Sequence, residues 1–289
     1  MGKVGFIGLG TMGLPMAGHL LEKGHDLIIW NRTPEKADSL VAKGANLASN
    51  LQHLAEQCEH VMLCVSRTED VREVVSAMSS HLKPGSIVVD HSTILPQGAE
   101  EIQRELALKN IGFVDAPITG GSMGAEAGTL TIFCGGDEDV IQQIMPRLEA
   151  YAKRAEIVGG PGTGQWMKLA NQIAVGGALQ ALCESMAFAS KAGLNLEQVC
   201  SMLGGGAAGS WAFNNYGPKI LNSDWTPGFA IRHQRKDFGY CILAAKEIDA
   251  AIPGTELVDQ LLNQTEEALG GDVTTAALYL TLKKLGADR

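Results

Sequence analysis

Hydrophobic and polar positions alternate in blocks along the first half of the chain. Short apolar runs occupy residues 4–8, 27–30, 61–65, 87–90, 112–116 and 130–135, and segments of helical period lie at 15–22, 34–43, 70–81, 97–109 and 138–153. Strands that are apolar throughout require cover on both faces, and their alternation with helices is typical of a parallel sheet between two helical layers. With a further short strand at 155–158, the pattern predicts an α/β fold with a Rossmann-type, doubly wound parallel sheet.

The pattern changes after the glycine-rich segment 159–164. Residues 165–191 form a proline-free stretch of helical period, and the remainder predicts helices at 195–203, 234–248, 253–269 and 274–284. Asn195 and Thr274 are the expected N-caps, and the glycines after Leu203 and Leu269 the expected stops. We therefore predict a dinucleotide-binding domain over 1–162, a long interdomain helix over 163–192, and an all-helical substrate and oligomerisation domain over 193–289.

The long helix is apolar over much of its circumference. Its apolar positions are Ile173, Ala174, Val175, Ala178, Leu179, Ala181, Leu182, Met186 and Phe188. Because such a helix requires cover on every side, we expect it to be buried between domains or subunits, and we expect a homo-oligomer, either a dimer or a tetramer.

A glycine motif follows the first strand. The segment MGKVGFIGLGTMG leads from a strand through Gly8, Gly10 and Gly13 into a helix. In a dinucleotide-binding βαβ unit the first glycine permits a tight turn, the second lets the backbone approach the pyrophosphate, and the third lets helix and strand pack closely. The phosphates would bind the free N–H groups of the helix, which we expect to begin near Thr11.

The second strand ends in Asn31-Arg32-Thr33. Proteins built for NAD usually place Asp or Glu there to bind the ribose 2′-hydroxyl, whereas a guanidinium beside a hydroxyl suits the 2′-phosphate of NADP. The segment therefore predicts a preference for NADP(H), with NAD(H) as the other possible cofactor. The alternative is that Arg32 is a solvated surface residue at a strand end.

Composition and charge argue against some classes of binding partner and indicate the cellular compartment. The 289 residues are 45% hydrophobic and 19% charged, and the formal net charge of −9 leaves no basic excess for nucleic acid. Apolar stretches are interrupted before about 18 residues, so we expect no membrane span, and the first residues enter a strand directly, so we expect no secretion signal. Six scattered cysteines without a CxxC motif favour a reduced, cytoplasmic protein.

The segment from Asp115 to Ser122, DAPITGGS, lies where the strand at 112–116 ends. Ligands bind at the carboxyl ends of parallel strands, and the N–H groups of Gly120 and Gly121 can receive a carboxylate beside the hydroxyls of Thr119 and Ser122. The alternative is an ordinary strand-to-loop turn.

Two later segments carry charged residues in helical contexts. Lys168 and Asn171 are three positions apart near the start of the long helix and so share a face. A catalytic lysine and a lysine that extends its ammonium to solvent both fit this position. Arg235-Lys236-Asp237-Phe238 is expected to begin a helix, where the alternative is a charged first turn with Asp237 favoured by the helix dipole.

Residues 207–229 concentrate the aromatic side chains. Trp211, Phe213, Tyr216, Trp225 and Phe229 lie there. One interpretation is that they pack helices together. The other is that Trp211, or a neighbour, forms one wall of a substrate pocket.

The chain resembles the β-hydroxyacid dehydrogenase family, whose members act on 3-hydroxyisobutyrate, tartronate semialdehyde, glyoxylate or succinic semialdehyde. The resemblance covers essentially the whole chain through four motifs in order, GFIGLGTMGLPMA, DAPITGGSMGAEAGTLT, GTGQWMKLANQ and KDFGY. The chain departs from many members in having Thr119 for serine and Ser66 for a proline. Its Asn31-Arg32-Thr33 segment is similar to that of the NADPH-using glyoxylate and succinic semialdehyde reductases.

The resemblance implies a role for each motif. Lys168 would be the catalytic residue. The substrate would be bound by Thr119, Gly120, Gly121, Ser122 and Asn171, to which the second interpretation of the aromatic segment adds Trp211. The cofactor would be bound by Gly8, Leu9, Gly10, Thr11, Met12, Gly13, Asn31, Arg32, Thr33, Val65, Ser66, Thr93, Lys236 and Asp237.

The implied reaction is hydride transfer between NADP(H) and a small carboxylate-bearing aldehyde or β-hydroxyacid. Lys168 would protonate the alkoxide in reduction and act as base in oxidation. We expect no metal, because the histidines lack ligand spacing and His91 and His233 are better explained as structural or peripheral. The alternatives are oxidation by a 3-hydroxyisobutyrate dehydrogenase, an imine reductase, and a catalytically silent dehydrogenase-like binding module.

Overall fold

The computed structural model describes residues 2–285. The chain divides into two compact units, Met1–Lys168 and Leu169–Arg289. The boundary between them falls inside the long helix, which the sequence analysis treats as a segment of its own, so the three-segment division stays a prediction.

The first unit contains one nine-stranded sheet within the described residues. Its strands are β1 (Val4–Ile7), β2 (Leu27–Trp30), β3 (Asn46–Leu47), β4 (His60–Leu63), β5 (Ile87–Asp90), β6 (Gly112–Asp115), β7 (Ile118–Thr119), β8 (Leu130–Gly136) and β9 (Ala152–Gly159). The order is β3-β2-β1-β4-β5-β6-β8-β7, with β9 beside β8. The first six strands are parallel, and their order is that of dinucleotide-binding Rossmann domains, which confirms the predicted fold class.

The far edge of the sheet departs from the parallel pattern. Strand β8 runs antiparallel to both β6 and β7, and β9 runs parallel to β8. The register opposes Asp115 to Gly135, and Gly135 in turn to Gly159, so the end of β9 lies level with the carboxyl end of β6. This arrangement brings the chain back to that edge just before the long helix begins.

Helices cover both faces of the sheet. They are α1 (Gly13–Glu22), α2 (Asp38–Val41), α3 (Leu51–Gln57), α4 (Thr68–Met78), α5 (Pro96–Ala107), α6 (Gly121–Glu126) and α7 (Glu138–Leu148), with a 3₁₀ turn at Pro34–Ala37. Helix α7 begins where the Asp137 side chain accepts the N–H groups of Asp139 and Val140. The predicted helix at 138–153 is too long, because residues from Ala152 onward pair with β8 instead.

The core of the first unit consists of two apolar clusters. Consecutive residues of a strand enter opposite clusters: Phe6 lies in one and Ile7 in the other, and Met62 and Leu63 divide in the same way. Every residue of β1, β4 and β5 is buried. This is the burial that a parallel sheet covered on both faces requires, as the continuous apolar runs predict.

The described part of the second unit consists of helices. They are α8 (Thr163–Lys191), which starts in the first unit, and α9 (Leu196–Gly204), α10 (Trp211–Leu221), α11 (Ile231–Glu247), α12 (Pro253–Leu269) and α13 (Leu278–Leu285), with a 3₁₀ turn at Thr275–Ala277. Asn195 caps α9 by accepting the N–H of Gln198, as predicted. Thr274 precedes the 3₁₀ turn without a side-chain cap, and α11 begins at Ile231, three residues before the predicted start.

Part of helix α8 is exposed, although its composition predicts burial on every side. Leu179, Leu182 and Met186 are buried, but Phe188 is 74% exposed.

Within residues 2–285, α8 meets the length and composition requirement for crossing a membrane, with 29 residues and a mean hydropathy of 1.3 over 18 of them. That requirement alone is weak, because the core helix of a soluble protein also meets it. The oligomeric state and the absence of a membrane partner stay predictions.

Candidate active site

The glycine turn between β1 and α1 has the geometry that its sequence predicts. Gly8 has a φ of +96°, and a Cβ there would lie 2.2 Å from the carbonyl oxygen of Cys64. A Cβ on Gly13 would lie 1.9 Å from the carbonyl oxygen of Gly8, whereas a Cβ on Gly10 would meet nothing within 4 Å. The first and third glycines are therefore required by packing, and the second leaves open space for a phosphate to approach the backbone.

Asn31 holds this turn against the end of β2. The N–H of Leu9 donates to Asn31 Oδ1 at 2.8 Å, and Asn31 Nδ2 donates to the carbonyl oxygen of Thr33 at 2.8 Å. Arg32 and Thr33 are exposed beside it. Asn31 thus has a structural role in shaping the turn, and its cofactor contact stays a prediction, as do those of Arg32 and Thr33.

A groove of about 660 Å³ begins at the glycine turn. Leu9, Gly10 and Thr11 line one end of it, and Lys36 and Lys43 lie along it. Helix α1 begins at Gly13 with Met12 as N-cap, two residues later than expected, and Thr11 is exposed in the preceding turn. The end at Leu9–Thr11 lies where the sheet order predicts a dinucleotide, whereas the rest of the groove follows α1 to Glu22, away from the carboxyl edge of the sheet.

The carboxyl ends of β4 and β5 are joined by Ser92. The N–H of Val65 donates to Ser92 Oγ at 2.9 Å, and the N–H of Ser92 donates to Asp90 Oδ1 at 2.9 Å. Ser66 is exposed in the loop after β4, and Thr93 is half-buried after β5. The proposed cofactor contacts Val65, Ser66 and Thr93 therefore lie on neighbouring strand ends.

Asp115 connects the end of β6 to the start of α8. Its fully buried carboxylate accepts the N–H of Gly162 at 2.8 Å and the N–H of Gln165 at 2.9 Å. Burial raises the pKa of Asp115 to about 7, and the two N–H bonds offset only part of this effect. Asp115 belongs to the predicted substrate motif, but its residue type and position there predicted no role for it.

Gln165 makes a second connection from the same helix turn. Its side-chain oxygen accepts the N–H of Ile94 at 3.0 Å, and its Nε2 donates to the carbonyl oxygen of Ser92 at 2.9 Å. A Cβ on Gly164 would lie 2.5 Å from the carbonyl oxygen of Asp115, so this turn packs directly on β6. Lys168 follows on the next turn and is 7% exposed. The proposed catalytic lysine is therefore carried by a helix start that is bonded to two strand ends.

His91 is a structural residue in this region. Its Nδ1 lies 2.7 Å from the carbonyl oxygen of Ala116 and its Nε2 lies 2.9 Å from the Tyr151 hydroxyl. Burial lowers the pKa of His91 to about 4, so the ring is neutral. A carbonyl only accepts, so Nδ1 carries the hydrogen and Nε2 accepts from Tyr151. Within residues 2–285, no group of three or more His, Cys, Asp or Glu side chains is placed to hold a metal.

The glycine pair after β7 adopts backbone conformations that side chains rarely take. Gly120 has a φ of +128° and Gly121 a φ of +65°, and a Cβ on Gly121 would meet nothing within 4 Å. Helix α6 starts at Gly121, and His19 of α1 holds its other end through the carbonyl oxygens of Ala125 and Glu126. Thr119, Gly120, Gly121 and Ser122 are partly accessible. Their binding of a carboxylate stays a prediction.

The remaining predicted site residues belong to the second unit. Asp237 is 3% exposed and lies in the second turn of α11, so the alternative of a charged first turn is wrong. Its Oδ1 lies 3.0 Å from Lys236 Nζ, and its Oδ2 accepts Gln172 Nε2 at 2.7 Å. Asn171 Nδ2 donates to Gln172 Oε1 at 2.9 Å. Gln172, which the sequence analysis missed, thus connects Asn171 to Asp237.

Trp211 is the first residue of α10, a helix that the sequence analysis missed. It is 48% exposed, and its ring contacts Tyr216 edge-on at 5.2 Å. Phe213 and Tyr216 are buried, which confirms the packing interpretation for these two aromatic residues. A contact between Trp211 and a substrate stays a prediction.

The sheet order and the glycine turn between β1 and α1 define a dinucleotide-binding oxidoreductase of the Rossmann type. Residues 3–160 match the family described as the NAD binding domain of 6-phosphogluconate dehydrogenase. Residues 162–282 match the family described as "NAD-binding of NADP-dependent 3-hydroxyisobutyrate dehydrogenase".

Two relatives are similar over nearly the whole chain. A probable 3-hydroxyisobutyrate dehydrogenase-like mitochondrial protein of Arabidopsis thaliana is 39% identical over 98% of this chain and 86% of the relative. The 2-hydroxy-3-oxopropionate reductase of Escherichia coli is 34% identical over 97% of each chain. The chain belongs to the β-hydroxyacid dehydrogenase family, and it is an NAD(P)-dependent oxidoreductase that acts on CH–OH groups.

Solved structures agree with this assignment. The 3-hydroxyisobutyrate dehydrogenase of Salmonella typhimurium superimposes with a TM-score of 0.89 at 28% identity, over 97% of this chain and 99% of that one. A protein described as Psf3, in complex with NADP+ and 2-OPP, superimposes with a TM-score of 0.89 at 26% identity, over 96% and 99%. The dehydrogenase fold thus extends over both units of the chain.

Proposed function

We propose that this enzyme uses NADPH to reduce a small carboxylate-bearing aldehyde, with glyoxylate or succinic semialdehyde as the best substrates. The observation that carries the cofactor preference is the end of β2. Arg32 and Thr33 are exposed there next to the glycine turn, and Asn31 is occupied in holding that turn. A guanidinium and a hydroxyl favour a 2′-phosphate, and the segment has no carboxylate to bind a 2′-hydroxyl.

The first unit holds the groups that the reduction requires. The N–H groups of the Gly120–Gly121 turn would bind the substrate carboxylate, since both residues have a positive φ and are partly accessible. Bound NADPH would supply the hydride. Lys168, as an ammonium, would stabilise the developing alkoxide and give it a proton, and in the reverse direction the neutral amine would accept that proton.

The position of Lys168 supports its assignment as the general acid. A lysine that only extends its ammonium to solvent would be exposed, whereas Lys168 is 7% exposed at the start of a helix bonded to Asp115. We therefore infer that the helix start exists to hold this ammonium at the carboxyl edge of the sheet.

Oxidation of 3-hydroxyisobutyrate is the second candidate function. The Arabidopsis relative bears the name of that activity, and its 39% identity is compatible with either substrate. Succinic semialdehyde and methylmalonate semialdehyde are isomers that differ in the position of one carbon. Such a difference changes binding by about 1–3 kcal/mol, so the shape of the pocket decides between them.

Initial rates with a substrate panel test the proposal. Glyoxylate, succinic semialdehyde, methylmalonate semialdehyde and tartronate semialdehyde would each be reduced with NADPH and with NADH. We expect the highest kcat/KM for NADPH with one of the first two. A preference for NADH with methylmalonate semialdehyde would instead establish a 3-hydroxyisobutyrate dehydrogenase.

Substitution of Lys168 tests whether its ammonium takes part in the chemical step, as distinct from the effect of removing any lysine from this helix. Lys168→Ala should lower kcat by about 10²- to 10⁴-fold while NADPH binding persists. Lys191→Ala is the matched control, because Lys191 is exposed at the far end of the same helix. A kcat near that of the unmodified enzyme in Lys168→Ala would refute the assignment.

We also propose a reducing, cytoplasmic location and a dimeric or tetrameric assembly. All six cysteines are free thiols, and burial raises the pKa of Cys58, Cys134 and Cys183 to about 12. These thiols are poor nucleophiles, which fits a structural role in a reducing compartment. Light scattering of the purified protein would determine the assembly.

A further inference from the structure

We propose that Gln172 is a positioning residue that fixes the orientation of the Asn171 amide, so that Asn171 presents its carbonyl oxygen, a hydrogen-bond acceptor, to the bound ligand. This inference rests on the proposed function in one respect, the placement of Asn171 beside the substrate. Its structural part concerns the second unit alone. There, three side chains form a chain of hydrogen bonds from Asp237 through Gln172 to Asn171.

The direction of this chain is set by Asp237. A carboxylate only accepts hydrogen bonds, and the Lys236 ammonium lies 3.0 Å from Oδ1. Gln172 must therefore turn its NH₂ group toward Asp237 Oδ2, at 2.7 Å. Its carbonyl oxygen is then the atom that faces Asn171.

The same constraint passes on to Asn171. Because Gln172 Oε1 only accepts, Asn171 must turn its own NH₂ group toward it, at 2.9 Å. Gln172 is 2% exposed and Asp237 is 3% exposed, so water cannot readily substitute for either partner. The outer atom of the Asn171 amide is consequently Oδ1. A group that is recognised there must be a donor, and the hydroxyl of a hydroxyacid is such a group.

Two substitutions at Asp237 and Gln172 should reverse and then restore this direction. In Asp237→Asn the new amide turns its oxygen to Lys236 and its NH₂ group to Gln172, so Gln172 flips and Asn171 presents NH₂ outward. In Gln172→Glu combined with Asp237→Asn, the glutamate accepts from both neighbours, and Asn171 presents oxygen again. The net charge of the pair is the same as in the unmodified protein.

Two inhibitors that differ by one hydroxyl report the outer atom of Asn171. We would measure inhibition of succinic semialdehyde reduction by 4-hydroxybutyrate and by butyrate, and take the ratio of the two inhibition constants. A net hydrogen bond of about 1 kcal/mol gives about a fivefold preference for the hydroxyl compound. We expect that preference in the unmodified enzyme and in the double variant, and its loss in Asp237→Asn.

Gln172→Met removes the bridge while keeping the side-chain length, and Gln180→Met on the same helix is its control. The hydroxyl preference should disappear in the first and persist in the second. A preference retained in Gln172→Met or in Asp237→Asn would overturn the proposal. So would a double variant that melts within a few degrees of the unmodified enzyme yet lacks the preference.

A double-mutant cycle of protein stability tests the chain of hydrogen bonds from Asp237 through Gln172 to Asn171, here called the relay, without any substrate. Asn171→Asp alone sets a carboxylate against Gln172 Oε1, but together with Asp237→Asn it meets the flipped Gln172 NH₂ group. We expect the double variant to be about tenfold more stable, as a folding equilibrium constant from urea unfolding, than the sum of the single changes predicts. The coupling should be several-fold smaller in the Gln172→Met background.

Additive effects, or equal coupling in both backgrounds, would overturn the relay. If neither inhibitor binds the unmodified enzyme while the coupling is found, the relay stands and the proposed substrate class is wrong. The two failures are thus distinguishable.

Discussion

Replacing Asp115 by Asn should flatten the dependence of stability on pH. Asp115 is fully buried at the end of β6, and burial raises the pKa of its carboxyl group from 3.8 to about 7. The folded protein therefore binds this proton more tightly than the unfolded chain does. Stability from this group is fully present below about pH 4 and is lost as the pH rises to about 7. An asparagine has the same size and does not titrate.

The structure sets the size of the effect. The pKa of Asp115 differs by about three between the folded and the unfolded protein. This difference corresponds to about 4 kcal/mol in the free energy of unfolding, with a slope of up to about 1.4 kcal/mol per pH unit. Between pH 5 and pH 7, the free energy of unfolding of the unmodified protein should fall by about 2–3 kcal/mol relative to Asp115→Asn.

Urea unfolding at pH 5, 6, 7 and 8 measures this difference directly. Burial lowers the pKa of His60 and of His91 to about 4, so these groups destabilise the fold as the pH falls below about 6.5. Their contribution is present in both proteins and cancels in the comparison. Parallel stability curves for the two proteins would refute the reasoning, because they would show that Asp115 is ionised over the whole range.

Four further substitutions test the cofactor half of the site. Gly13→Ala should destabilise the protein by about 1–3 kcal/mol in urea unfolding, since its Cβ would lie 1.9 Å from the Gly8 carbonyl oxygen. Gly10→Ala should leave stability unchanged, because its Cβ would meet nothing within 4 Å. It should instead weaken NADPH binding at least about tenfold in a fluorescence titration. Asn31→Ala removes two hydrogen bonds from the glycine turn and should cost about 1–3 kcal/mol, and an unchanged unfolding midpoint would contradict this role. Arg32→Asp should lower the ratio of NADPH to NADH affinity by about 10- to 100-fold, and an unchanged ratio would remove Arg32 from the 2′-phosphate site.

The hydrophobic pattern predicts most accurately the strands that are buried on both faces. The bounds of β2 and β5 agree with the predicted 27–30 and 87–90, because polar residues follow each run, Asn31 after β2 and His91 after β5. Strands β3 and β7 are two residues long and contribute too few positions for a pattern. Helix α10 was missed because Gly217 and Pro218 lie inside it, and such residues usually mark the end of a helix.

Motifs located the candidate site, but they did not reveal how its residues are held. Asp115 and Gln165 are 50 positions apart in the chain, and their hydrogen bond forms only because β9 returns the chain to the carboxyl end of β6. Periodicity describes which face of an element is buried and contains no information about such a distant polar pair. The motifs of the family resemblance contain both residues but gave neither a role, because a resemblance reports residue types and not the hydrogen bonds between them.

Asp115 and Asp237 share a physical property that explains why they stand where they do. Asp115 accepts two N–H groups and so fixes the first turn of α8, and Asp237 accepts an amide and so fixes the direction of Gln172 and Asn171. A neutral side chain can both donate and accept, and it would allow its partners to reverse. A group that only accepts imposes one direction on every donor around it. Each unit thus uses the oxygens of a buried carboxyl group to orient the neighbouring donors, and for this purpose an apolar core residue of the same size cannot substitute.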